Sequence, residues 1–372
     1  MRVVISGGGT AGHINPALAI GKCIKQYEED SEILYIGAKG RMEEELVPKA
    51  GFNFESIEIS GFQRSFSRKA MKNNLITLKR IVTAYMESKK ILKSFNPDIC
   101  IGTGGYVSGP VLKCASKMGI KIVLHEQNAY PGITTKILSK KASCIMLATK
   151  KAKKYFKGNF KIEVTGNPIR KEITTIKKEN ARKKLNFDSR PVILSFGGSL
   201  GANKINFVIA EFIENIVEKG CKYFLIHSYG NDNNFLNILK SKGIRLKDHK
   251  NFIVKSYLEN MPLYLSAADL VISRAGAITL SEIQAASKAS ILIPSPNVAE
   301  NHQYRNAIEL VKKNAAKLIE EKNLTKELLI KTVDDIISNK ETLNILSKNA
   351  GKMAILNADK KIYNIIKNIV RK

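Results

Sequence analysis

Residues 3–13, VVISGGGTAGH, run from a short β-branched segment through three glycines into a helical pattern. Residues 190–206, RPVILSFGGSLGANKIN, repeat that plan in the second half of the chain. A strand that ends in a glycine-rich turn and hands over to a helix opens a βαβ unit. The alternation continues through EILYIG (32–37), PDICIG (97–102) and KIVLHEQ (121–127). In the second half it passes through CKYFLIHSYG, NFIVKSY, ADLVISRAGAITLSEIQAA and ASILIPSP. The fold class is therefore α/β, two Rossmann-like domains in tandem, with strand carboxyl ends expected to face a central cleft.

The 372 residues suit two domains better than one core. VTGNPIR (164–170) is the expected joint, because Asn167-Pro168 disfavours helix. The expected domains are 1–165 and 166–352. The last segment has helical apolar spacing at Ile355, Ile362, Ile365, Ile366 and Ile369, and a closing helix over about 353–372 is expected to pack back on the first domain.

No cleavable leader is expected, and no apolar run reaches the roughly 18 residues that cross a bilayer. Five scattered cysteines, none in a CxxC pair, argue against a disulfide framework or a zinc site and for a reducing cytoplasm. The formal net charge is +28. Such an excess suits an anionic partner, while heavy use of Lys, Ile and Asn under a coding bias accounts for it equally. Residues 62–95 carry nine Lys or Arg and one acid, interleaved with Leu75, Ile76, Leu78, Ile81, Val82, Tyr85 and Met86. That stretch fits an anionic membrane surface, or an ordinary helix with its apolar stripe on the core. Nucleic acid is not expected as a partner, since aromatics are only 7% and no recognition module is visible.

Gly7, Gly9 and Gly12 satisfy GxGxxG in the strand-to-helix context, which suits phosphate. The acidic residue expected about 20 positions on in a dinucleotide site is missing. His13 follows the loop instead, where a neutral imidazole is a candidate general base; helix capping or packing is the alternative. GTGGYVSGP (102–110) can bring Thr103, Gly104, Gly105 and Tyr106 to a ligand, or its glycines can serve packing alone. GGSLGA (197–202) offers Gly197, Gly198, Ser199 and Gly201 as a second cradle, and a purely structural turn explains its glycines equally well. SRAGAITLSEI (273–283) leads from a strand through Gly276 into a helix carrying Thr279, Ser281 and Glu282. Its first amides suit a diphosphate, and a carboxylate further in suits ribose hydroxyls; a capping box from Thr279 to Glu282 is the structural alternative.

Together, GGGTAGHINPALAI, GTGGYVSGP, LHEQNAYPGITTK, VTGNPIR, GGSLGA, SRAGAITLSEI and ENHQYRNA resemble the MurG family of peripheral membrane glycosyltransferases in order and spacing. The resemblance implies the GT-B fold. It also implies inverting transfer of N-acetylglucosamine from UDP-GlcNAc to the C4 hydroxyl of MurNAc in undecaprenyl-linked lipid I, giving lipid II and UDP. The implied donor site comprises Thr10, Ala11, Gly12, Asn128, Arg170, Ser199, Leu258, Ala277, Ile278, Thr279, Leu280, Ser281, Glu282 and Gln303, with Glu282 on the ribose and Gln303 on the sugar. His13 is the implied base or acceptor-orienting group, with Glu126 the second catalytic candidate, and Gly104, Gly105 and Tyr106 form the implied acceptor loop. The implied location is the cytoplasmic face of the cell membrane, with an anionic lipid surface and other cell-wall synthesis proteins as partners.

No DxD pair occurs, so no metal or other cofactor is expected, and helix-start amides with Arg170 are left to hold the departing diphosphate. The sequence departs from the family pattern at Ala11 and Leu200, and at Ser287 and Ala289, which replace a usual glycine and proline and should cost turn stability. The rival readings are another GT-B enzyme using UDP-GlcNAc, such as a glycolipid synthase or a 2-epimerase, and a nucleotide-sugar sensor without catalysis.

Overall fold

The computed structural model describes residues 1–61, 67–198, 201–220 and 222–371. Thirteen strands and fifteen α-helices follow one another in near-strict alternation among these residues. The first stretch comprises β1 (Arg2–Gly7), α1 (Ala11–Tyr27), β2 (Glu32–Ala38), α2 (Glu43–Lys49), β3 (Asn53–Ile57), α3 (Arg68–Phe95), β4 (Ile99–Gly104), α4 (Ser108–Lys117), β5 (Lys121–Glu126), α5 (Ile133–Leu138), β6 (Cys144–Leu147) and β7 (Ile162–Val164). Then come α6 (Glu172–Thr175), α7 (Lys178–Lys184), β8 (Val192–Phe196), α8 (Asn203–Glu218), β9 (Phe224–Ser228), α9 (Phe235–Ser241), β10 (Phe252–Lys255), α10 (Met261–Ala267) and β11 (Leu270–Ser273). The chain ends with α11 (Ala277–Ala285), β12 (Ala289–Leu292), α12 (His302–Val311), β13 (Lys317–Leu318), α13 (Lys326–Ile337), α14 (Lys340–Lys352) and α15 (Ala358–Val370).

The chain divides into two units, one of residues 1–168 with 355–372 and the other of residues 169–354. The first holds a seven-stranded sheet in the order β3-β2-β1-β4-β5-β6-β7. The second holds six strands in the order β10-β9-β8-β11-β12-β13. Every pairing is parallel. In both sheets the order reverses at the first strand of the unit, which places a topological switch point beside each glycine-rich turn.

The β-branched runs are explained by burial on both faces of each sheet. In the first unit, Val4, Leu34, Ile36, Cys100, Ile122 and Ile145 pack on one side against Ala84 and Leu92 of α3 and Val111 of α4. Val3, Ile5, Tyr35, Ile101 and Val123 pack on the other against Ile20 and Ile24 of α1 and Ile362, Ile366 and Ile369 of α15. The last helix thus completes a face of the unit that begins the chain. In the second unit, Ile193, Leu225 and Ile272 meet α8, α9 and α13, while Leu194, Ile226 and Val271 meet α10, α11 and α12. Four of the cysteines, Cys23, Cys100, Cys114 and Cys144, are buried free thiols, and burial raises the pKa of each. The fifth, Cys221, lies outside the described residues.

Helix α3 divides its apolar residues between two faces. Ile81 and Tyr85 lean on the core, whereas Ile76, Leu78, Val82 and Met86 stand in solvent, Val82 at 66% exposure. The side chain of Leu75 and residues 62–66 lie outside the described set. Ser287 adopts a left-handed backbone, φ 51°, where the sequence lacks the usual glycine, so the turn carries the strain expected of it.

Deleting the contacts of α15 tests its place in the first unit. Ile366→Ala is expected to cost about 2–5 kcal/mol, seen as a lower urea midpoint by circular dichroism. An unchanged midpoint would show that the helix adds nothing to that core.

Candidate functional site

In the first unit the site is built on a bulge. Strand β1 pairs with β4 through Ser6↔Gly102 and then Gly7↔Gly104, leaving Thr103 as an extra residue on β4. A bulge re-aims its residue. Both polar groups of Thr103 turn to His13: the Thr103 hydroxyl donates to the His13 carbonyl at 2.8 Å, and the Thr103 carbonyl lies 3.0 Å from His13 Nδ1. A carbonyl can only accept, so Nδ1 carries a proton, and in the neutral ring the lone pair is then on Nε2. Two glycines make room for this exchange. A Cβ on Gly7 would stand 1.9 Å from Thr103 Oγ1, and one on Gly104 would stand 2.8 Å from His13 Nδ1.

Thr10 is the N-cap of α1 and makes no side-chain cap, and the first intrahelical bonds run from His13 and Ile14 to the Thr10 carbonyl. The Ala11 and Gly12 amides therefore have no intrahelical acceptor, the arrangement that suits an anion. Pro16 falls in the second turn, where its missing N–H leaves the carbonyl of Gly12 without an intrahelical donor.

Glu126 ends β5 and is 2% exposed. Its Oε1 accepts from the Asn128 backbone at 3.1 Å and the Asn128 side chain at 3.2 Å, and its Oε2 accepts from the Gly132 amide at 3.0 Å. This carboxylate holds the 127–132 loop and fixes Asn128. Neighbouring His125 is fully buried, donates Nε2–H to the Gly166 carbonyl at 3.0 Å, and accepts from Gln127 at Nδ1. Burial pushes its pKa down to about 4, and that of His227 to about 3, so both are neutral structural groups.

In the second unit Arg170 and Glu282 meet at α11. Gly276 is its N-cap, with φ −67° and ψ 139°. Thr279 therefore lies inside the helix, and the capping-box alternative is not realised. Glu282, one turn further on and 8% exposed, receives Arg170 in a two-point pair: Nε to Oε1 and Nη2 to Oε2, each 2.8 Å. The fork-to-carboxylate geometry fixes both planes. Leu258 is 2% exposed beneath this region.

Gln303 sits in the first turn of α12, its Oε1 accepting the Ser295 amide at 2.9 Å. The two residues before the helix, Glu300 and Asn301, are both left-handed, with φ 54° and 49°. Two successive non-glycine residues in that region store strain of about 1 kcal/mol or more each, a pattern that concentrates at functional segments. Ser199 and Leu200 lie outside the described residues. Gly104 abuts the His13 ring, Gly105 lies on the Gly8 carbonyl, and half-buried Tyr106 packs on Gly9 and Gly61. Among the described residues no three His, Cys, Asp or Glu are grouped to hold a metal ion.

Sequence reading passed over two groups. Arg274, beside Gly276, donates to the carbonyls of Ile293 and Pro294 and pairs with Glu321, tying β11 to the segment after β12. Glu43, one of three successive glutamates, is fully buried against the first glycine loop. Nothing in the spacing of that acidic run tells the buried glutamate from its exposed neighbours.

With this geometry in view, comparison with known proteins is specific. Residues 3–147 match the glycosyltransferase family 28 N-terminal domain, and residues 192–369 match its C-terminal domain. A relative from Acetivibrio thermocellus, a UDP-N-acetylglucosamine–N-acetylmuramyl-(pentapeptide) pyrophosphoryl-undecaprenol N-acetylglucosamine transferase, is 44% identical over 372 residues, covering 100% of this chain and 99% of its own. The crystal structure of Acinetobacter baumannii MurG superposes with a TM-score of 0.76 at 25% identity, covering 99% of both chains. The UDP-GlcNAc 2-epimerase of Neisseria meningitidis, bound to UDP-GlcNAc, shares the fold at TM-score 0.67 and 14% identity, covering 100% of both.

Arg170 is 43% exposed and its partner 10% by side chain, so the pair is partly screened. Arg170→Met is expected to destabilise the second unit by about 1–2 kcal/mol by stranding the carboxylate, and adding Glu282→Gln to recover most of that loss. Additive losses in chemical denaturation would show that the two side chains do not depend on each other.

Proposed function

The chain belongs to glycosyltransferase family 28, and from that premise we propose that it transfers N-acetylglucosamine from UDP-GlcNAc to the C4 hydroxyl of MurNAc in undecaprenyl-diphospho-MurNAc-pentapeptide. The observation that carries the proposal is the full-length 44% identity to the Acetivibrio thermocellus transferase. The epimerase likeness supports the GT-B fold and nothing finer.

In the proposed reaction the acceptor O4 attacks the anomeric carbon of GlcNAc from the face opposite UDP. The new C1–O4 bond forms as the bond from C1 to the β-phosphate oxygen breaks, so the configuration inverts. The O4 proton passes to His13 Nε2, whose lone pair is secured by the Nδ1–H bond to Thr103. UDP departs as an anion, and the amides at the start of α11 together with Arg170 stabilise it. Glu282 accepts from the ribose hydroxyls, and Gln303 orders the sugar. Thr10, Ala11, Gly12, Asn128, Ser199, Leu258 and residues 277–281 complete the donor contacts. Glu126 acts by holding Asn128, while Gly104, Gly105 and Tyr106 receive the acceptor. No metal ion takes part in the proposal, because cationic and amide donors supply the charge compensation.

The lipid-linked acceptor calls for attachment to a membrane surface. Among the described residues no helix is long and apolar enough to cross one. We assign surface binding to the outward face of α3, where Leu78, Val82 and Met86 recur every four residues beside Lys79, Lys89, Lys90 and Lys93. Each basic residue near anionic headgroups adds roughly 1 kcal/mol. On this reading the protein sits on the cytoplasmic face, beside other cell-wall synthesis proteins.

The decisive assay gives purified protein labelled UDP-GlcNAc and a lipid I analogue in EDTA. Formation of the disaccharide-lipid product is expected; its absence in both EDTA and added divalent metal would overturn the assignment, and product only with metal would overturn the metal-free step. In the same assay His13→Ala should lower kcat by about 100-fold or more, and Glu282→Ala should mainly raise the UDP-GlcNAc KM. A triple change, Leu78→Ser with Val82→Ser and Met86→Ser, should abolish flotation with phosphatidylglycerol vesicles while leaving turnover of a water-soluble acceptor intact. Retained flotation would remove α3 from the membrane surface.

A further inference from the structure

Glu43 is a buried titratable group that the proposed mechanism does not use. It is the first residue of α2 and has no exposed surface. Oε1 accepts the Gly9 amide at 3.0 Å, while Oε2 is enclosed without a hydrogen-bond partner. A Cβ on Gly8 would stand 2.0 Å from Oε1, so the carboxylate lies directly on the Gly8–Gly9 peptide. From the other side the Tyr106 ring fills the place of a Gly9 Cβ, 2.6 Å away. The Gly8 amide reaches the Gly104 carbonyl at 3.3 Å. The loop before α1 is therefore fixed by β4, by Glu43 and by the aromatic ring of Tyr106.

A buried carboxylate with one amide bond and an idle second oxygen is a poor way to stabilise a core. An apolar side chain of the same volume would serve stability better. What Glu43 supplies is a fixed acceptor for a single peptide of the loop that leads into His13.

We propose that Glu43 is a positioning residue for the transfer reaction, its Oε1 holding the Gly9 peptide so that residues 10–13 enter α1 with His13 Nε2 directed at the acceptor hydroxyl. The inference rests on the reading of His13 as the base. It is the acceptor atom at that point that matters, and the negative charge is incidental.

Three variants separate the possibilities. E43Q keeps an oxygen for Gly9, E43L fills the volume without an acceptor, and E43D keeps the charge but withdraws the acceptor by one methylene. Melting temperature, kcat and both KM values are measured for each. E43L and E43D are expected to lose about 100-fold in kcat with an unchanged donor KM, and E43Q to stay within about threefold of the parent. If E43L fails to fold, E43D and E43Q still decide. The proposal is overturned if E43D retains parental kcat, or if E43Q falls as far as E43D, which would assign the effect to the charge. A parent protein that forms no product overturns the transferase reading itself, whereas an active parent with an unaffected E43D overturns only the role of Glu43.

Discussion

The exchange of hydrogen bonds between His13 and Thr103 is the constraint from which the first unit's site follows. Each residue accepts at its backbone carbonyl what the other donates from its side chain. For that to happen β4 must carry one residue more than β1 at their shared end, and the bulge at Thr103 supplies it. Gly7 and Gly104 must lack side chains, because a methyl group on either would occupy the space of the hydroxyl or the ring. Gly7, first legible as part of a phosphate turn, and Gly104, read as approaching a ligand or serving packing, thus have a more exact duty. They permit an imidazole to be locked in one tautomer at the mouth of a parallel sheet, and the tautomer decides which nitrogen can take a proton.

The second unit solves a different problem by the same means. Its strand-to-helix turn at Gly276 starts α11 at the end of β11 and sets Glu282 in the second turn of that helix. Both carboxylate oxygens of Glu282 face the Arg170 guanidinium. The carboxylate and the guanidinium are thereby kept paired and oriented, which limits the desolvation cost of burying either alone.

Much of this was legible in the sequence, for reasons that can be traced to particular residues. Continuous β-branched runs such as VVIS and PVILS fixed the parallel sheets because both faces of each strand are buried. The turn at 273–283 was read as a strand-to-helix anion site, and the structure places Gly276, not Thr279, at the N-cap. Which apolar residues of α3 meet the core was out of reach: Ile81 and Val82 are neighbours of equal apolarity, and only the packing of the unit decides that one faces the core and the other solvent. Arg170 and Glu282 were identified singly, but a partner 112 positions away in sequence leaves no periodic trace. Glu43 was invisible for a similar reason, since the partner that buries it is a backbone amide 34 residues earlier.

The central claim is that His13 is held as the Nδ1–H tautomer with a free lone pair on Nε2. Long-range proton–nitrogen correlation on protein labelled with 15N-histidine reads this directly. In the neutral ring the account requires a protonated, pyrrole-type Nδ1 and an unprotonated, pyridine-type Nε2, with Thr103→Val allowing the two tautomers to mix through the displaced bulge. A His13 that is protonated at Nε2, or that averages between tautomers in the parent protein, would contradict it.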